Sequence, residues 1–63
     1  MYDVIQVSLT TTEVLSVLGK DLAEWKAKAV RNNALMRGVG VSELLLVVES
    51  GKYKVGDTYN NAE

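Results

Sequence analysis

Five consecutive apolar residues, Leu44 to Val48, sit between Glu43 and Glu49 and are followed by Ser50-Gly51. As a helix, this run would be apolar on nearly every side and would end after about two turns at Gly51. As a strand, its leucines and valines suit a pleated, buried surface. A two-residue turn at Ser50-Gly51 would bring the succeeding residues back alongside. Glu49 would face Lys52, Val48 would face Tyr53 and Leu46 would face Val55, giving one ion pair and two apolar pairs. The run therefore predicts a strand and a C-terminal hairpin. Gly56-Asp57 is expected to kink or end the last strand. Residues 60–63 are expected to be a frayed tail, which leaves 1–59 as one domain.

The opening segment, Tyr2 to Leu9, alternates Ile5, Val7 and Leu9 with Gln6 and Ser8, the period of a half-buried strand. The next segment, TTTEVLSVL, reads two ways. Thr10 and Glu13 have capping-box spacing, so a helix could start near Thr11 and run to Arg37. Gly19 would then lie inside it, at a cost of about 1 kcal/mol relative to Ala. That helix would also be about 40 Å long against a strand of about 26 Å. The hairpin alternative has a loop over residues 10–12 and places Val7 opposite Leu15, Ile5 opposite Val17 and Gln6 opposite Ser16. Both strands then sort into an apolar and a mixed face. The loop lacks the Gly or Asn that such turns favour.

The segment from Asp21 reads as a helix. Asp21 is a good N-cap, and Glu24 stands three residues on. Arg37 and Gly38 make a normal C-terminal signal. GVG at residues 38–40 comes after a helix and lacks a Lys-Ser/Thr pair, so it reads as a cap and strand entry and not as a phosphate loop. Two apolar stripes run along the helix. Leu22, Trp25, Ala29 and Met36 carry the bulk and are expected to pack on the sheet. Ala23, Ala27, Val30 and Ala34 form a second row of mostly small residues that would let another helix approach. The expected fold is α+β, a two-layer ββαββ arrangement of hairpin, helix and hairpin; the alternative is βαββ with one long helix.

A chain of 63 residues is enough for one domain. A domain this small buries only about 60% of its unfolded surface. Such domains often gain stability by oligomerising, so a homo-oligomer, a dimer first, is expected through Ala23, Ala27, Val30 and Ala34. The sequence has no Cys and no His. Disulfides and thiolate sites are excluded, as are imidazole ligands and bases. The eight acidic residues are scattered, so neither metal nor cofactor is expected. Net charge is −1, which exerts no general pull on nucleic acid or anionic lipid. The five-residue apolar run is far too short to cross a membrane. The Met-Tyr-Asp start lacks the basic region of a signal peptide. A cytoplasmic protein is the expectation.

The helical alternative would resemble the ribbon-helix-helix family of repressors, with VIQVSL as the DNA-reading strand and GVGVSELL opening the second helix. That resemblance implies a dimer paired through its strands. Against it, too many residues separate Leu9 from Gly40 for one ordinary first helix. The residues after Ser42 are too apolar, and the strand has no Lys or Arg. A second resemblance covers more of the chain. DLAEWKAKA followed by ALMRGVGVSELLLVVESGKYKVGDTY is similar to small uncharacterised proteins of tailed bacteriophages. These have a hairpin, an Ala-rich helix ending near Met-Arg-Gly, and a strand followed by GKYK-x-GD. The resemblance implies a phage or prophage origin and a hairpin over residues 2–18. It supplies no activity.

Lys20, Lys26, Lys28, Arg31 and Arg37 invite a nucleic-acid reading, but Asp21 and Glu24 are interleaved with them, as on an ordinary solvated helix face. Tyr53 between Lys52 and Lys54 has the look of a base-stacking strand, while its pairing with Val48 suggests core. Trp25 reads as core, with an interface anchor as the alternative. Asn32 and Asn33 read as polar helix flanks, or as register-setting groups if buried. Asp3, Asp57 and Thr58 include no acid–base dyad and no nucleophile with its base. The leading expectation is a non-enzymatic, self-associating protein-binding module, a phage accessory factor acting on a host protein. A nucleic-acid-binding regulator using Lys28, Arg31, Lys52, Tyr53 and Lys54 is one alternative. A virion or assembly component is the other.

Overall fold

The computed structural model describes residues 1–38 and 42–59. The expected tail at 60–63 and most of the GVG segment lie outside the described residues. The chain is a small α+β protein with the order β1 (Tyr2–Ser8), β2 (Val14–Leu22), α1 (Glu24–Arg37) and β3 (Glu43–Glu49). The sheet order is β2-β1-β3, and β1 is antiparallel to both neighbours. β2 and β3 therefore run the same way on either side of β1, and α1 carries the chain between them, as a parallel crossover requires.

The first hairpin forms, and its register is close to the expected one. Ile5 faces Val17 and Gln6 faces Ser16, but Val7 faces Val14 instead of Leu15 across an irregularity in the ladder. The loop does without Gly because Thr12 takes φ 58. The Ser8 hydroxyl accepts from the amides of Thr10 (3.2 Å) and Thr11 (3.4 Å), and Thr12 N–H donates to Ser8 C=O at 2.8 Å. The Ser8 side chain at the end of β1 thus holds a loop that has no glycine. β2 then continues through Gly19 to Leu22.

The helix begins later than Asp21 predicts. Ala23 is the N-cap, in extended conformation and with no side-chain cap. Asp21 instead lies near the end of the strand at φ 56, its N–H engaged by Asp3. Glu24 stands in the first turn, where the helix dipole favours an acid, and Gly38 closes the C-terminus at φ 98 with its N–H on Leu35 C=O.

The helix also presents the opposite face to the one expected. Ala27 is fully buried, while Trp25 is 71% and Met36 86% exposed. At 100° per residue, Ala23, Ala27, Val30 and Ala34 cluster on the side opposite Trp25, Ala29 and Met36. A Cβ at Gly19 would lie 2.7 Å from Leu22 Cδ1 and 3.7 Å from Val30 Cγ1. Gly19 pairs with Val4, so Val30 stands over the Val4 face of the sheet. The small row and the missing Cβ at Gly19 together let the helix lie close to the strands. Of the row expected to hold a second copy, Ala27 is buried against the strands, while Ala23, Val30 and Ala34 stay half-exposed.

The other face of β1 carries Ile5 and Val7, which form a cluster with Val14. Val17, Leu46 and Val48 flank it, and Tyr53 and Tyr59 roof it. Residues 52–55 form no strand, which corrects the second hairpin: Val55 is 61% exposed instead of facing Leu46. After the turn at Gly51 the chain leaves the plane of β3 and crosses beneath the sheet. It then bonds the outer side of β2: Val14 N–H to Asp57 C=O (2.8 Å), Gly56 N–H to Val14 C=O (2.9 Å) and Tyr59 N–H to Thr12 C=O (2.7 Å). A fourth in-plane strand would have left Ile5 and Val7 facing water.

The orientation of α1 predicts a sharp contrast. Ala27→Glu puts a carboxylate where no solvent reaches, and should cost several kcal/mol and abolish a cooperative melt in circular dichroism. Trp25→Ala should change stability by no more than about 0.5 kcal/mol. The reverse ranking would mean that Trp25 faces the sheet.

Candidate functional site

The residues singled out for chemistry do not converge. Lys28 Nζ lies 3.1 Å from Glu24 Oε2 on the helix surface, with both side chains well exposed. Arg31 is half-buried, and its Nε is out of solvent without a hydrogen-bond partner. Tyr53 packs into the roof of the Ile5 cluster, its ring 5.2 Å from that of Tyr59. Lys52 and Lys54 beside it are exposed. The sheet separates the two groups: Lys28 and Arg31 ride on α1 above the Val4 face, while 52–54 lie under the Ile5 face. No single basic surface joins them. The expected Glu49–Lys52 ion pair is also missing. Among the described residues Glu24–Lys28 is the one ion pair, and Lys52 meets Glu49 only through a turn bond between main chains.

Asp3 is the buried acid of the fold, 1% exposed. Period two places it on the same face as Ile5 and Val7, where an acid needs partners. Oδ1 accepts from Asp21 N–H at 2.8 Å and from Ser50 Oγ at 3.1 Å, and Oδ2 accepts from Gly51 N–H at 3.2 Å. One carboxylate thus ties the start of β1 to the end of β2 and to the turn after β3. Burial pushes its pKa up, but the two backbone amides, the Ser50 hydroxyl and the charge of Lys20 outweigh this and hold it below the ordinary carboxylate value. Its hydrogen bonds lead to the fold and not to a substrate.

Asp57 accepts from Lys54 N–H at 3.0 Å in its own turn, and Thr58 bridges Glu13 at the edge of β2. Asp3, Asp57 and Thr58 therefore serve different turns and form no dyad. A polar chain crosses the sheet on the helix side: Ser16 Oγ donates to Gln6 Oε1 (2.9 Å), and Gln6 Nε2 donates to Glu43 Oε1 (2.6 Å). Among the described residues no group of three or more acids could hold a metal ion. No helix among them is long and apolar enough to cross a membrane.

Between β2 and the C-terminal half of α1 runs an open groove of about 220 Å³, lined by Leu18, Val30, Asn33, Ala34 and Arg37. It is smaller than the clefts that hold drug-sized ligands. The larger apolar exposure lies elsewhere. Trp25 and Met36 stand almost in line along the outer side of α1, eleven residues or about 16 Å apart. Ala29 and Asn32 lie between them, both exposed. Lys26 Nζ sits 5.8 Å from the Trp25 ring centroid. These features define the class: a small α+β protein in which, among the described residues, one helix lies on a three-stranded antiparallel sheet. Compared with known proteins, the chain matches no family model, no curated sequence and no solved structure.

The folded pKa of Asp3 lies below the unfolded one, so its carboxylate favours the native state. That stability is fully present above about pH 4, the ordinary aspartate range, and is lost as pH falls through the folded pKa. Asp3→Asn should lower stability at pH 7 by about 1–3 kcal/mol in urea titrations. The gap between variant and wild type should close in acid, below about pH 4. A gap independent of pH would show that folding does not lower the Asp3 pKa, and a gap that shrinks as pH rises would show that Asp3 is neutral in the fold.

Proposed function

We propose that this chain is a non-enzymatic protein-binding module whose contact surface is the outer face of α1. The observation that carries the reading is the exposure of Trp25 and Met36 on one line of the helix, 71% and 86% respectively. Trp and Met are enriched at protein interfaces, and Trp dominates binding hot spots. Among the described residues neither side chain belongs to the core, and Ala27 on the other side of the helix is the residue buried against the sheet. Lys26 and Lys28 edge the stripe with positive charge. Composition supports a non-enzymatic role, because the chain offers neither thiol nor imidazole. The resemblance to small tailed-phage proteins supports a host protein in the cytoplasm as the partner. Self-association through Ala23, Ala27, Val30 and Ala34 is not part of the proposal, because Ala27 is fully buried against its own sheet.

The test is affinity capture from nuclease-treated host lysate with wild type and with a Trp25→Ala/Met36→Ala variant side by side. One host protein should be retained by the wild type in stoichiometric amount and lost by the variant, while circular dichroism shows both folded. Equal retention by both would overturn the assignment of this face. Salt-sensitive retention of nucleic acid before nuclease treatment would favour the regulator instead.

A further inference from the structure

The sheet has two edges, and they are not alike. The β2 edge is blocked in several ways. Its ladder to β1 carries three irregularities. Residues 56–59 bond its outer side at Thr12 and Val14. Lys20 and the positive φ of Asp21 mark its far end. Bulges, lysines and covering segments are the usual protections of an edge.

β3 has none of these. It pairs with β1 in unbroken register from Glu49 opposite Tyr2 to Glu43 opposite Ser8. Leu9 N–H to Ser42 C=O and Ser50 N–H to Met1 C=O continue the same ladder at both ends. In an antiparallel pair, main-chain bonds alternate between neighbours. Leu44, Leu46 and Val48 therefore spend theirs on β1, and Glu43, Leu45, Val47 and Glu49 direct theirs outwards. Among the described residues the backbone group that meets this outer row is Lys52 N–H, which bonds Glu49 C=O at 3.3 Å in the turn, and no other main-chain group bonds the outward side of Glu43, Leu45 or Val47. Leu44 is 43% exposed on one side of the strand, and Val47 is half-exposed on the other.

Charge says what fits there. Glu43 and Glu49 bracket the five apolar residues, and among the described residues neither has a cation within ion-pair distance. Glu43 is held in place by the Gln6 amide. A second copy centred on Leu46 would set Glu43 opposite Glu49 twice, and like charges directly opposite destabilise a pair. An antiparallel strand with basic residues six apart would set a cation opposite each acid. We infer that the outer edge of β3 binds an extended segment of another protein, five β-branched residues with apolar side chains at alternate positions and Lys or Arg at both ends, by adding it to the sheet as a fourth strand. This goes beyond the helix-face reading and stands on different residues.

The probe is a fluorescein-labelled peptide Lys-Thr-Val-Thr-Val-Thr-Lys, with Glu-Thr-Val-Thr-Val-Thr-Glu as its charge-reversed counterpart. Anisotropy titrations should show the basic peptide binding at least about tenfold tighter than the acidic one, from two attractive cross-strand pairs replaced by two repulsive ones. Amide shifts should centre on Leu45 and Val47. Val47→Pro removes an outward N–H without touching the β1 ladder and should abolish binding. Glu49→Lys, at an exposed position, should shrink the preference for the basic peptide even if the proline variant folds poorly. Trp25→Ala/Met36→Ala should leave peptide binding unchanged, which separates this surface from the helix face. Binding that ignores Glu49→Lys, or no binding of the basic peptide at all, would overturn the inference. So would a wild-type mass of twice 6.9 kDa that returns to the monomer in Val47→Pro, because the edge would then belong to a second copy.

Discussion

β1 must be buried on both faces, and the rest of the chain is arranged to achieve this. Val4 and Ile5 are adjacent in sequence, point to opposite sides of the sheet and are both fully buried. A sheet with two dry faces needs two covering layers. Among the described residues, α1 and residues 50–59 make them. The helix supplies one layer through Ala27 and Val30. The other comes from Tyr53 and Tyr59, two aromatic rings carried on a segment without regular secondary structure. Asp3 anchors that segment at its start, which is why a buried acid is found on an otherwise apolar face.

Much of the fold is legible in the sequence. The alternation in Tyr2–Leu9, the Gly38 cap and the apolar run Leu44–Val48 all mark elements that form. The pairings Ile5–Val17 and Gln6–Ser16 come from the period of two together with a loop over residues 10–12. The face of the helix is not legible, and the reason is steric. Bulk on a helix stripe suggests core, but the approach distance between α1 and the sheet is set by the strand beneath it. Gly19 lies there, with Leu22 already filling the space a Cβ would need. Gly19 lets Val30 come down onto the strand, with Cγ1 3.7 Å from where a Cβ would stand, and Trp25 and Met36 lie on the opposite side of the helix. That is a long-range dependence that helical periodicity cannot reveal.

The candidate surfaces are partly legible. Trp25 reads as core from its stripe, with an exposed anchor as the lesser alternative, and it is the exposed position that the packing requires. Lys28, Arg31, Lys52 and Lys54 are visible as charges. Which of them share a surface depends on the path of residues 50–59, and that path turns on the hydrogen bonds of Ser50 and Gly51 to Asp3. The signal for Asp3 is present in the sequence: counted by twos from Ile5, it falls on the buried face. An acid there must bind main-chain donors or unfold the strand.

The open edge of β3 and the covered face of β1 have one cause. Residues 50–59 can be used once. Placed beside β3 as a fourth strand, they would satisfy its outward N–H and C=O groups, which water also satisfies at modest net cost. Placed beneath the sheet, they remove Ile5, Val7 and Val14 from water, and apolar burial contributes about 25 cal/mol per Å². Three buried aliphatic side chains outweigh a row of edge hydrogen bonds that solvent can replace. The chain therefore covers its core and leaves its edge open. What leaves the edge open is the same free-energy difference that covers the core.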